Sequence, residues 1–309
     1  MMSDIRFERP FNKITVSDNS RKKRGKRLKD NPWDYKLIKL ANITFLFCII
    51  FEVVGIMTIL FFGTVGAQMS IYFMTFLFSL FLWRRHKNEI DIPISFKKLE
   101  PGKMLHLSLI TVCGVPIALL LNALAGVLSN AGADSAEDVN TYPILMAIVV
   151  YAVVPAVVEE LVFRGVILGA YSKVDVRAGI MISSLFFALL HFSLGSVLYG
   201  FFFGLLFAVV RIATDNLVYT MIMHLLFNTI NVLLSYMKLT EIPVAVVFAV
   251  FVVAIILFIA LVVLFFRKSV IEMRGSRFEG KYKPWKAITK EGYVTIAVCL
   301  TVMGMLLLM

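Results

Sequence analysis

Residues 143–171 read PILMAIVVYAVVPAVVEELVFRGVILGAY, an apolar run broken only by Glu159, Glu160 and Arg164. A bilayer core of ~30 Å needs about 20 apolar residues in a helix, so this run is long enough to cross one. Lipid offers no partners to backbone N–H and C=O groups, so a lone spanning segment of this kind is helical. Working outward at the same length, further spans are expected at 37–62, 66–83 and 104–129 upstream, and at 177–194, 196–213, 217–237 and 243–266 downstream. A short terminal run at 292–309 is a candidate ninth. The expected fold class is all-α, a polytopic transmembrane helix bundle of about eight core helices plus that ninth at the C-terminus.

The whole chain agrees with this stretch. Of 309 residues, 60% are hydrophobic and 17% charged, with a mean hydropathy of +0.86, well outside the soluble range. Hydrophobic and charged residues are segregated into blocks, and only Glu52, Glu159 and Glu160 among the 20 carboxylates fall in long apolar runs. A soluble globule and a disordered chain are both excluded. The net charge of +11 does not point to nucleic acid, because its basic residues lie between apolar runs, where the positive-inside rule and anionic lipid account for them. Cys48, Cys113 and Cys299 are odd in number and each sits in an apolar run, which yields neither a disulfide framework nor a metal-ligand spacing.

Charge also orients the chain. With a cytoplasmic N-terminus and nine crossings, twelve Lys and Arg fall in 1–39, six in the 84–103 loop, and eight between Arg267 and Lys290, all on the cytoplasmic side with Lys173, Arg177 and Arg211. The outer loops carry Lys238 alone, and the 130–142 loop carries Asp134, Glu137 and Asp138. The expected organisation is a basic disordered cytoplasmic tail at 1–36, a transmembrane bundle at 37–266, a basic cytoplasmic loop at 267–291 and the candidate helix at 292–309. The tail has no apolar stretch and no small-residue cleavage site, so it is not read as a signal peptide. Gly165/Gly169 and Gly200/Gly204 have the spacing that lets membrane helices approach closely, and packing within the chain is the expected use.

Ionisable groups in hydrocarbon cost several kcal/mol unless paired or wetted, so an intramembrane cluster of them is a functional-site hypothesis by default. Glu160 and Arg164 are one turn apart on one helix face and can pair; Glu159 lies about 100° away and has no intrahelical cation. Stapling the bundle would be the plainer role, but two adjacent buried carboxylates with one cation leave a charge uncompensated or a proton trapped. Phe187 and His191 on the fifth span, and His224 and Asn228 on the seventh, repeat the one-turn spacing. By span midpoints, Glu159, His191 and His224 share a depth to within roughly 10 Å and could line one cavity. A carboxylate base, two imidazoles, an amide and a charge clamp suit amide hydrolysis, provided the site encloses water.

The ordered trio Glu-Glu-x-x-x-Arg, Phe-x-x-x-His and His-x-x-x-Asn resembles the CAAX protease and bacteriocin-processing family of intramembrane proteases, which includes type II CAAX prenyl endopeptidases. It stands here as Glu159, Glu160 and Arg164, then Phe187 and His191, then His224 and Asn228, with a protease core at about 140–235. The resemblance implies peptide-bond hydrolysis in an eight-helix bundle. It implies that Glu159 activates water with His191, that Glu160 holds Arg164 and shapes the site, that His224 and Asn228 stabilise the oxyanion, and that Phe187 packs the pocket wall. Glu159, His191 and His224 would suffice as three ligands for a catalytic zinc, and a metalloendopeptidase stays open beside a mechanism needing no cofactor. The motifs hold no recognisable zinc-binding spacing, which favours the metal-free form. No His-Glu-x-x-His, Gly-x-Gly-Asp or Gly-x-Ser-Gly occurs, so three rival intramembrane chemistries lose support.

The expected function is therefore an intramembrane endopeptidase acting on a hydrophobic, prenylated or leader peptide, in contact with membrane lipid and not with nucleic acid. The alternative is a non-proteolytic scaffold or bacteriocin-immunity protein of the same fold. A proton-coupled transporter using Glu52, Glu159 and His191 as a relay is disfavoured, because no internal symmetry of paired halves is visible. The resemblance and the basic loops imply a multi-pass protein of a bacterial plasma membrane with its N-terminus cytoplasmic. Substrate sequence, oligomeric state and the role of Glu52 stay open.

Overall fold

The computed structural model describes residues 28–90, 92–129, 139–237, 243–273 and 282–308. Most of the basic tail, the acidic 130–138 stretch and Lys238 lie outside the described residues. Nine helices stand among the described residues, seven of them long and apolar enough to cross a membrane, and no strand is present. They are α1 (Pro32–Met57), α2 (Ile59–His86), α3 (Pro101–Ser129), α4 (Ile144–Ser172), α5 (Val176–Leu189), α6 (Leu194–Thr214), α7 (Leu217–Tyr236), α8 (Val244–Met273) and α9 (Lys290–Leu308). The polytopic all-α expectation is met.

The boundaries differ from the hydropathy reading where local chemistry overrides it. Helix α1 starts at Pro32, inside the expected tail. The Asn31 side chain there accepts the backbone N–H groups of Trp33 and Asp34 at 3.2 and 3.4 Å, and proline suits the first turn, where its missing N–H costs nothing. Helix α2 bends at Gly63, whose φ of 68° is a conformation that a residue without Cβ adopts freely. Helix α8 runs on to Met273, so the first part of the expected 267–291 loop is helical.

The largest difference is in the fifth element. The expected 177–194 span is a helix of 14 residues, roughly 21 Å at ~1.5 Å per residue, too short for a ~30 Å core. It survives because neighbouring helices, not lipid, surround it: Ser183, Ser184, Phe186, Phe187 and Ala188 are all buried. His191 therefore lies beyond the helix and not on it. The chain turns at Phe192, whose φ of 53° is left-handed, and Ser193 then caps α6 by accepting the Ser196 N–H at 3.1 Å.

Helix α4 holds the centre. Two of its turns, Val149–Val153 and Glu160–Ile167, are widened to the i→i+5 pattern that recurs at functional sites. Pro155 explains the first: it lacks an N–H and its ring crowds the carbonyl one turn back, which the wider turn relieves. One hydrophobic cluster joins α4 to α1, α5 and α9 through Phe45, Val162, Val166, Phe186 and Cys299. A second joins α3, α6, α7 and α8 through Leu107, Phe203, Phe207, Met223 and Phe258. Helix α9 is anchored from its N-terminal approach, where the Tyr282 hydroxyl donates to Asp34 at 2.8 Å and its N–H to Asp175 at 2.6 Å. Asp175 also caps α5 through the Ala178 N–H.

The Gly200/Gly204 spacing serves packing within the chain, as expected. A Cβ on Gly204 would lie 3.1 Å from Ser184 Cα and 3.2 Å from its carbonyl oxygen, whereas one on Gly200 would meet Ala188 Cα at 3.4 Å. Gly204→Ala should accordingly destabilise the protein in detergent by ~1–3 kcal/mol, the range for overpacking, while Gly200→Ala stays within ~0.5 kcal/mol of wild type. Equal melting temperatures for the two variants would contradict this reading of the α5–α6 seam.

Candidate functional site

Glu159 ends the regular α-helical stretch of α4, and the widened segment that starts at Glu160 carries Glu160 and Arg164, beside α2, α5, α6 and α7. Arg164 and Glu160 are fully buried and paired, Nη1 to Oε1 at 2.9 Å. The guanidinium also lies over the Phe187 ring, 4.2 Å from its centroid, and Nη2 reaches the Gly204 carbonyl at 3.4 Å. A planar cation can stack on an aromatic face and pair at its edge at once, which an ammonium cannot do. The ion pair expected from the i,i+4 spacing is present, and Phe187 and Gly204 are the partners that make it tolerable away from water.

His224 on α7 completes the group. Its Nδ1 stands 3.0 Å from Glu160 Oε1, and its ring packs edge-on against Phe187 at 5.6 Å. A carboxylate paired with arginine only accepts, so Nδ1 carries the proton and Nε2 is the nitrogen left for chemistry. That Nε2 points toward Glu159, 3.7 Å from its Oε2, beyond direct hydrogen-bond distance. Glu160 thus orients both the arginine and the histidine, and α4 and α7 meet through it.

Glu159 is 6% exposed, and the arginine below it is spent on Glu160. Its Oε1 accepts a hydrogen bond from the Tyr72 hydroxyl at 3.0 Å, while Oε2 is buried without a hydrogen-bond partner. Tyr72 lies on α2, and Glu52 on α1 stands within electrostatic range of both Tyr72 and Glu159. The sequence left Glu52 without a role and missed Tyr72 altogether. Only a polar residue inside an apolar run could have flagged Tyr72, and tyrosine is too common there to be a signal.

His191 and Asn228 stand at the margin. His191 is exposed, just past the C-terminal end of α5, with its Nδ1 3.0 Å from the Phe187 carbonyl, so its proton is on Nδ1 and its Nε2 keeps a lone pair. Its ring packs against the same Phe187 ring as His224, at 5.3 Å. Phe187 is therefore a hub touched by Arg164, His191 and His224. Asn228, half-buried, follows His224 by one turn of α7 and lies outside the hydrogen-bonded group. Among the described residues no three His, Cys, Asp or Glu side chains converge as a metal-ligand set. His224 Nε2 and Glu159 Oε2, 3.7 Å apart, are two donors of the kind a zinc takes, but the third, His191, is not gathered with them, so the three do not stand assembled as a zinc site in this arrangement.

Comparison with known proteins bears out the motif resemblance. Residues 141–230 match the family model described as type II CAAX prenyl endopeptidase Rce1-like. The matched stretch runs from the start of α4 to the middle of α7 and contains all seven motif residues. Neither the curated proteins nor the solved structures returned a match.

Proposed function

We propose, from the premise that residues 141–230 form a segment of the CAAX prenyl endopeptidase kind, that the protein is an intramembrane endopeptidase hydrolysing a hydrophobic or lipidated peptide with water activated by Glu159. The observation that carries the proposal is the division of labour between adjacent carboxylates. Glu160 is committed through its Oε1 to the Arg164 cation and the His224 Nδ1, whereas Glu159 has no cation and its buried Oε2 lies beside the His224 Nε2; the Oε2 atoms of both are free of hydrogen bonds, so it is the pairing with Arg164 that divides them. A base must offer a lone pair to the proton it takes, and of the two carboxylates Glu159 is the one whose charge no arginine holds.

In this reading Glu159 removes a proton from water as its oxygen attacks the scissile carbonyl carbon. The carbonyl π pair moves to oxygen, and Asn228 together with His224 stabilises that oxyanion. Collapse of the tetrahedral intermediate breaks the C–N bond, and the proton held by Glu159 passes to the leaving amine, so atoms and charge balance. His224 donates from Nε2 as an imidazolium while its Nδ1 stays on Glu160, and His191, with its proton on Nδ1, offers its Nε2 lone pair to the water that Glu159 activates. Localisation in a bacterial plasma membrane with a cytoplasmic N-terminus is part of the same proposal, supported by the placement of basic residues in the sequence.

The test is cleavage of a pool of hydrophobic and prenylated peptides by purified protein in liposomes, read by mass spectrometry, with and without a chelator. Wild type is expected to cut at least one peptide and Glu159→Ala none, with no loss of rate on chelation. A folded wild type that binds but never cuts would replace the peptidase with a scaffold or immunity role. Chelator inhibition reversed by zinc would replace the metal-free mechanism.

A further inference from the structure

We propose that Tyr72 is a positioning residue for Glu159, supplied by α2 from outside the matched segment; the proposal rests on reading Glu159 as the base. The contact spans 87 positions of sequence, and it is the only hydrogen bond that Glu159 makes to a side chain among the described residues. The matched stretch alone thus lacks a part of its own site.

The physical need for such a residue lies in the glutamate. The terminal torsion of a Glu side chain is broad and roughly two-fold, so nothing intrinsic holds its carboxylate plane. Glu160 is held twice over, by Arg164 and His224. Glu159 has no cation, and the His224 Nε2 at 3.7 Å is too far to hold it. With Oε1 anchored by the Tyr72 hydroxyl at 3.0 Å, the carboxylate plane is set and Oε2 is aimed at the His224 side. The charged and titratable groups around this contact are Glu52 and Cys48 on α1, Glu160 and Arg164 on α4, and His224 on α7. Glu52 makes the anchor matter more: a second carboxylate lies within electrostatic range of the phenol, and Tyr72 donates to Glu159. Gln68, one turn earlier on α2, lies within reach of the phenol.

Tyr72→Phe keeps the ring and removes the donor. On a cleaved peptide it is expected to lower kcat by roughly 10- to 100-fold with KM unchanged, since misplacing a catalytic group by about 1 Å costs up to ~100-fold. A merely structural loss would lower the active fraction and the melting temperature together. A second readout needs no substrate: labelling of membrane-embedded carboxyls by a hydrophobic carbodiimide, mapped by mass spectrometry. Released from its anchor, Glu159 in the Tyr72→Phe protein should be modified at least threefold faster than in wild type. Wild-type kcat in Tyr72→Phe beside an inactive Glu159→Gln would overturn the positioning role while leaving the base intact. A wild type that cuts no peptide would overturn the base, and the labelling rate alone then decides the Tyr72 contact: an unchanged rate at Glu159 overturns it.

Discussion

Glu159→Gln is expected to abolish cleavage, with a fall in kcat of at least 100-fold and up to ~10,000-fold, the range that a positioned general base contributes. The substitution is nearly isosteric. Its amide oxygen can still accept from Tyr72, so the α2 contact at 3.0 Å survives. What disappears is a carboxylate oxygen able to take a proton. Because Glu159 is 6% exposed and shares no arginine, removing its charge also removes a desolvation cost, and the variant should melt at or above the wild-type temperature. Loss of activity with retained stability separates a base from a structural strut, in which activity and stability would fall together. Measuring kcat and the detergent melting temperature on one preparation decides the point. Residual activity within tenfold of wild type would dismiss Glu159 as the base.

Arg164→Met should have the largest effect on stability. The guanidinium and the Glu160 carboxylate are each fully buried and 2.9 Å apart. Deleting one partner strands the other, at a cost of about 3–5 kcal/mol. The loss is compounded here because the same guanidinium lies 4.2 Å from the Phe187 centroid. Arg164→Lys should recover only part of the loss, since an ammonium cannot pair with Glu160 and lie flat on Phe187 together. The double variant Glu160→Gln/Arg164→Met should be markedly more stable than Arg164→Met, because no charge is left unpaired, yet it should stay inactive, because His224 no longer has a carboxylate orienting its Nδ1. Denaturation in mixed micelles tests the stability order, and peptide cleavage tests the separation. If the double variant were as unstable as the single one, the buried charge would not be the cause.

Much of this protein was legible along the chain. Segregated apolar runs dictate a helical membrane bundle, since backbone groups in lipid must find partners within their own segment. The i,i+4 spacings placed Glu160 with Arg164, and His224 with Asn228, because a helix has one dominant period whatever surrounds it. The glycine pair on α6 likewise packs within the chain, against Ser184 and Ala188.

Tertiary structure decided the rest, and each case has a physical reason. The fifth span was misjudged because hydropathy measures how apolar a segment is, not what covers it; α5 is enclosed by protein and ends early, which puts His191 on an exposed turn. Tyr72 was invisible because its partner lies on another helix, and only helix packing can bring two such positions within 3.0 Å. The choice between the two carboxylates rested on both levels. Their adjacency and the single arginine are matters of sequence, but Glu160 gains its second partner only because α7 brings His224 to it, and Glu159 is left without a cation only because α2 brings a neutral hydroxyl. Local periodicity sets which side chains share a face, while packing between helices sets which charges are neutralised, and in a low-dielectric interior that second choice determines which group remains available to react.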